Sequence, residues 1–368
     1  MKGLILAGGV GSRLRPITHT SAKQLVPVAN KPILFYGIEQ MADVGIKDIA
    51  IVVSPETGDE IRAAVGDGSA FGLSVTYISQ PEPLGIAHGV KLARGYLGND
   101  DFVLYLGDNM LEQGLREFVA GFHAERDREP ELGEDHRPLV AAHILLAAVD
   151  DPRQMGVAEL DARGEIIRLV EKPANPPSKY ALVGVYLFGP EIHDAVLSIS
   201  PSGRNELEIT DAIQWLIDSG HRVHHQILAG WWIDTGKKDP LLECNRLVLD
   251  TLDRRVDGRL DRKSKAEGRV VIEAGATLKN STVRGPAIIG ANTHLVDTYV
   301  GPYTSIGPDC ELTDCDIEFS VVLENSRIVG VHRLKDSLLG RAVEVTRTNT
   351  RPKATRLTLG DHSQAELE

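Results

Sequence analysis

The stretch LILAGGVGSRLRPIT, residues 4–18, decides how the rest of the chain is read. Its apolar run has the pattern of a buried strand, and the glycines after it let the backbone turn sharply and bring N–H groups close to a ligand. Arg13 and Arg15 follow at once and Lys23 a little later, so the expected ligand is an anion, phosphate above all. Two better-known glycine loops do not fit. A Walker A loop needs Gly-Lys-Ser/Thr, where this chain has Gly11-Ser12-Arg13. A dinucleotide fingerprint needs a third glycine where Leu14 stands, and no acidic residue follows at the offset that would grip a ribose.

Outward from this stretch, strand-like runs alternate with helix-like ones up to about residue 240. KGLILAG, DIAIVVS, LSVTYIS, DFVLYLGD, LVAAHILLA and YALVGVYLFG read as strands, with amphipathic segments such as ILFYGIEQMADVG and GIAHGVKLARGYL between them. Continuous apolar strands separated by helices predict an α/β fold with a mostly parallel sheet covered on both faces. Ligands bind such sheets beyond the carboxyl ends of their strands, where the opening glycines lie.

Past residue 260 the rhythm changes. Apolar residues recur at Ile289, Leu295, Val300, Ile306, Leu312, Ile317, Val322 and Ile328, five or six apart, with glycines and small polar residues between. Neither a helix nor a single strand has that period; a triangular parallel β-helix of hexapeptide repeats does. The expected domains are therefore 1–240, a helix and charged linker over 241–268, and a β-helix over 269–368. The polar end from about Pro352 is expected to fray.

The chain has 368 residues, enough for more than one core, and its 42% hydrophobic and 25% charged content is that of a soluble globular protein. A formal net charge of −12 argues against nucleic acid and anionic membrane surfaces as partners. No apolar run approaches a membrane span and no signal-peptide pattern opens the chain. Cys244, Cys310 and Cys315 form neither a CxxC pair nor a disulfide framework, so the expected setting is the reducing cytoplasm.

LAGGVGSRLRPIT followed by KQLVPVANKP resembles the nucleotide-binding motif of the sugar-1-phosphate nucleotidyltransferases. QPEPLGIAHGV, YLGDN, MGVAEL, EKP, RNELEITD and WWIDTG follow in the order of that family, over roughly residues 1–240. Within it, the KQL-PV wording is similar to the branch that transfers thymidylyl groups to glucose-1-phosphate, and the hexapeptide tail to its longer members. The resemblance implies a Rossmann-like mixed sheet and a left-handed β-helix.

It also implies residue roles. Leu6, Gly8, Gly9, Gly11, Ser12, Arg13, Gln24, Gln80, Pro83 and Gly85 would bind the nucleotide, with Gln80 reading the base. A glutamine amide offers a donor and an acceptor, matching the O4 and N3–H edge of thymine or uracil. Asn109, Gly156, Glu171, Lys172, Leu182, Glu206 and Trp232 would bind the sugar phosphate, with Val183 beside Leu182. Asp108 and Asp234 would hold Mg²⁺, which takes one or two protein carboxylates and completes its shell with water and phosphate oxygens. Arg13, Lys23, Lys172 and Asp108 would carry catalysis.

The implied reaction is dTTP plus α-D-glucose-1-phosphate giving dTDP-glucose and pyrophosphate, the first step towards dTDP-deoxysugars of cell surfaces or antibiotics. Use of UTP, or of several pyrimidine nucleotides, is the alternative within the family. A regulator that binds a nucleotide sugar without turnover lies outside it. His294 and His332, in or near the coils, raise acyl transfer as a further activity. The flat coils favour a homo-oligomer.

Overall fold

The computed structural model describes residues 1–9, 11–19, 21–127, 140–347 and 361–366. They form two compact units, Met1–Val10 with Leu34–Trp232, and Gly11–Ile33 with Ile233–Glu368.

The first unit is built on nine strands: β1 Lys2–Ala7, β2 Asp48–Val53, β3 Ser74–Ser79, β4 Phe102–Leu106, β5 Val140–Ala148, β6 Gly156–Leu160, β7 Ile166–Glu171, β8 Tyr180–Phe188 and β9 Arg222–Ile227. They lie in the order β7-β6-β8-β4-β1-β2-β3, with β5 also paired to β8 and β9 to β5. Strands β4, β1, β2 and β3 are mutually parallel, β9 runs parallel to β5, and β8 runs antiparallel to β4, β5 and β6. The six runs read as strands all form β-structure; Leu139, first in one of them, lies outside the described residues. Strands β6, β7 and β9 lie in segments that periodicity left unassigned, because β7 and β9 are half-exposed and lack a continuous apolar run.

Side-chain alternation along these strands assigns the helices α1 Ile33–Asp43, α2 Gly58–Val65, α3 Ile86–Leu97, α4 Arg116–Asp127, α5 Ile192–Ser198 and α6 Ile209–Asp218. Leu4, Leu104 and Ile144 share a core with α3, α5 and α6, through Ala87, Val90, Ile192 and Ile213. Alternate residues point the other way. The Tyr105 ring lies under Gly37 of α1, and the His143 ring packs tilted by 53° against Phe118 of α4, with centroids 4.7 Å apart.

The second unit holds α7, Lys238–Leu249, and a left-handed parallel β-helix. Three parallel sheets run along it, and one coil advances 17 residues, as between Asn280 and Asp297. The predicted apolar series is its interior: Ile289 pairs in register with Ile306, Leu295 with Leu312 and Val300 with Ile317, all buried. Corners fall on residues that tolerate a left-handed backbone, such as Asn292, Asp309 and Asn325 at φ 58, 54 and 60°. Neighbouring corners also bond each other, Asn292 Nδ2 donating to Asp309 Oδ1 at 3.2 Å.

Two expectations need correction. The helix in 241–268 forms, but the expected charged linker contains the strands Arg255–Val256, Arg259–Leu260 and Lys265–Glu267, paired in parallel with the next coil. A terminal coil has one stacking neighbour, so Val256, Leu260 and Ala266 suffice as its apolar contribution. The compact units also do not part at residue 240, since Gly11–Ile33 and everything from Ile233 lie in the second one. Most of the segment from Pro352 falls outside the described residues. Among the described residues no helix is long and apolar enough to cross a membrane.

Candidate active site

The site residues divide between the two units. In the first, β1 ends below Gly8 and Gly9, and Leu6 accepts the Gly107 N–H at 3.0 Å. Gly8 lets the Gln80 amide approach the backbone: a Cβ there would lie 2.8 Å from Gln80 Oε1 and displace it. Gln80, buried just past β3, donates its backbone N–H to the Val53 carbonyl at 2.8 Å. Its Nε2 stands 3.0 Å from His88 Nδ1, so a neutral His88 with its proton on Nε2 accepts from it. Burial, and Lys91 after it, keep the His88 imidazole below its ordinary pKa and favour that neutral form. Gly85 starts α3 at φ 102°, and a Cβ would lie 2.4 Å from the Leu207 carbonyl oxygen. Pro83 is exposed in the loop before it.

At the end of β4, Asp108 and Asn109 are both buried. Asn109 Nδ2 donates to Asp108 Oδ1 at 3.2 Å, while Asn109 Oδ1 accepts from the Trp232 indole Nε1. This chain of hydrogen bonds sets the direction of the Asp108 carboxylate, and it unites three expected residues.

Glu171 and Lys172 lie at the end of β7. Lys172 adopts φ 42°, a backbone region that L residues enter only when the surroundings hold them there, and its N–H donates to the Met155 carbonyl at 3.0 Å. The Lys172 ammonium stands 3.6 Å from Glu171 Oε1. Glu171 Oε1 also takes a 3.2 Å bond from Arg204 Nη2, and its Oε2 a 3.3 Å bond from the Thr210 hydroxyl. Burial pushes the Glu171 carboxyl up, with Lys172 opposing and Glu208 adding to the effect. Gly156 faces this group, for a Cβ there would meet Thr210 Cγ2 at 2.7 Å and Glu171 Oε2 at 3.2 Å, with Leu182 Cδ2 at 3.6 Å. Gly156, Glu171, Lys172 and Leu182 are thus brought together. Val183 is fully buried in the sheet.

Glu206 joins the group through Arg204, at 3.3 Å. Arg204 escaped the sequence reading, although it is the hub. Its Nη2 also bonds Glu208 at 2.9 Å, and Glu208 in turn accepts from the Ser202 hydroxyl at 2.6 Å. A signal was present in RNELEITD, where one arginine precedes two glutamates at spacings of two and four. His88 carried no comparable signal.

In the second unit, Gly11 sits at φ 65°, and a Cβ there would lie 2.8 Å from Lys23 Cβ. Its carbonyl accepts from the Leu14 N–H at 3.0 Å and the Thr18 hydroxyl at 2.6 Å, folding Ser12–Leu14 into a 3₁₀ turn that projects Arg13. Arg13 Nη2 approaches Asp234 Oδ2 at 3.5 Å, and Asp234 Oδ1 accepts the Gly236 N–H at 3.0 Å. Lys23–Leu25 forms a further 3₁₀ turn, in which Gln24 is buried and its Oε1 lacks a hydrogen-bond partner. His294 and His332 lie exposed on the β-helix, bonded to Thr277 and Asp316.

Asp108 and Asp234 are hard oxygen donors of the kind Mg²⁺ takes, and among the described residues no group of three or more His, Cys, Asp or Glu side chains could hold a metal. Each of the two aspartates is a donor of the kind that Mg²⁺ takes beside water and phosphate oxygens.

A profile described as nucleotidyl transferase matches residues 2–251, and the chain belongs to that family. Among its relatives, the glucose-1-phosphate thymidylyltransferase of Streptomyces griseus is 54% identical, spanning 100% of this chain and 99% of its own. That of Streptomyces antibioticus is 51% identical over the whole of both. A solved Bacillus anthracis structure, provisionally assigned the same activity and crystallised with sucrose, is 36% identical with a TM-score of 0.62, covering 69% of this chain and 98% of its own.

Proposed function

We propose that the chain transfers a deoxythymidylyl group from dTTP to α-D-glucose-1-phosphate, yielding dTDP-glucose and pyrophosphate at the head of dTDP-deoxysugar synthesis. The observation that supports this most is the end of β7. There a lysine held at φ 42° stands beside a buried carboxylate and an arginine, the equipment for a phosphate and a sugar hydroxyl on one ligand. The names of the two full-length Streptomyces relatives support thymidine as the base and glucose as the sugar.

The nucleophile is a phosphate monoester, mostly a dianion at neutral pH because its second pKa is about 6. It needs no general base, so the protein's work is positioning and charge neutralisation. Lys172 aims the attacking oxygen, and Glu171 holds a sugar hydroxyl. Lys23 grips the nucleotide phosphates. Arg13 stabilises charge developing on the α-phosphoryl group and the departing pyrophosphate, with attack in line and a loose transition state. Gln80 reads the base edge, its amide oriented by His88. Asp108 and Asp234 would hold Mg²⁺, which supplies Lewis-acid neutralisation of the phosphate oxygens. The reading places the enzyme in the cytoplasm, in keeping with three buried free thiols, and as a homo-oligomer.

The test is purified protein with Mg²⁺, a panel of nucleoside triphosphates and sugar-1-phosphates, and a pyrophosphate readout. Fastest release with dTTP and glucose-1-phosphate is expected. Equal or faster release with UTP would shift the reading to a uridylyl or promiscuous enzyme. Tight binding of dTDP-glucose without any release would make the protein a regulator.

A further inference from the structure

The turn carrying Lys23 and Gln24 is held at both ends by the β-helix. On one side the Ser21 hydroxyl accepts from Arg341 Nη1 at 2.6 Å, and Arg341 Nε pairs with Glu324 Oε1 at 2.6 Å, so two successive coils fix the guanidinium. On the other side, residues 27–32 form a tight hairpin whose tip, Ala29 and Asn30, adopts φ 48 and 62°. An alanine enters that region only under external constraint. The constraint is visible. The Ala29 N–H donates to Asn245 Oδ1 at 2.9 Å, and the same oxygen accepts from the Ser305 hydroxyl at 2.7 Å. Asn30 Nδ2 donates to the Ile306 carbonyl at 2.7 Å. The Lys23–Leu25 turn is thus a short span between two fixed points, with much of its conformational freedom already removed.

We propose that the β-helix is the mount of the nucleotide loop, and that Arg341 and Asn30 are positioning residues for nucleotide binding. This rests on the reading of Lys23 and Gln24 as nucleotide ligands. The β-helix thereby acquires a role in affinity distinct from self-association. Loss of either anchor lets the turn wander, so the triphosphate must order it on binding, while the sugar-phosphate group around Glu171 and Lys172 is untouched.

The test compares Arg341→Ala, Arg341→Lys and Asn30→Gly with the parent enzyme. Glycine at residue 30 tolerates the left-handed backbone and removes only the side-chain anchor. Loss of one charge-assisted hydrogen bond corresponds to about a tenfold rise in KM for dTTP in Arg341→Ala, with KM for glucose-1-phosphate within about twofold and Arg341→Lys between the two. Hydrogen exchange supplies a readout independent of turnover. The Leu25 and Val26 amides, bonded to the Ala22 and Lys23 carbonyls, should exchange about tenfold faster in Arg341→Ala and Asn30→Gly. If the parent protein releases no pyrophosphate from dTTP, the proposed reaction fails and the exchange data alone decide the mount. Equal changes in both KM values, or a lower melting temperature with unchanged KM and unchanged exchange, would overturn the proposal.

Discussion

Arg13 and Asp234, 221 residues apart in the chain, face each other at 3.5 Å. Both are half-exposed, so the pair contributes little to stability, between 0 and about 1 kcal/mol. Its use is in fixing the direction of the guanidinium, which lies beside Asp234 and Gly236. Arg13→Ala is therefore expected to lower kcat by on the order of 10²–10³ while leaving the thermal unfolding midpoint nearly unchanged. Near-parental turnover would remove Arg13 from the mechanism, and a large fall in the midpoint would make it structural.

The φ of 42° at Lys172 separates function from stability at one residue. Lys172→Gly relieves the backbone and removes the charge together. KM for glucose-1-phosphate should rise well above the parent value, while stability stays level or gains up to about 1 kcal/mol. Steady-state kinetics and urea unfolding on the same preparation decide this; an unchanged KM for the sugar phosphate alone would refute the assignment.

Gly85 is the opposite case, since its φ of 102° and the Leu207 carbonyl 2.4 Å from a would-be Cβ leave no room for any side chain. Gly85→Ala should cost roughly 2–4 kcal/mol, read as a lower urea midpoint. A stable variant with normal nucleotide affinity would show that the loop before α3 adapts freely.

His143, buried on β5 beside Phe118 and facing His224, is pulled down to about 4 by burial first and then by its histidine neighbours. Because the folded value lies below the unfolded one, the stability linked to the neutral ring is complete above about pH 6.5. It is lost as the pH falls towards 4, by roughly 3 kcal/mol. His143→Leu should flatten the unfolding free energy over that window. A parallel decline in parent and variant would assign the acid sensitivity elsewhere, with His193 and His225, both lowered chiefly by burial, the next residues to replace.

Local pattern carried much of this protein into view. The six apolar strands, the two amphipathic helices and the coil interior from Ile289 to Ile328 were legible because burial imposes a short period on neighbouring residues. Glycines at 8, 11 and 85 were legible for a similar reason, as each marks a place where backbone meets side chain or carbonyl at close range. What was not legible depends on residues distant in sequence. Arg204 binds Glu171 across 33 residues, and Arg341 reaches Ser21 across 320. Neither bond leaves a periodic trace, since a single hydrogen bond constrains two side chains and nothing between them. The glycine motif itself shows the difference. Its strand reads correctly from LILAG alone, yet Gly11–Ile33 packs into the β-helical unit, because the partners of Ser21, Ala29 and Asn30 come from Arg341, Asn245 and Ile306, which only the folded chain brings near.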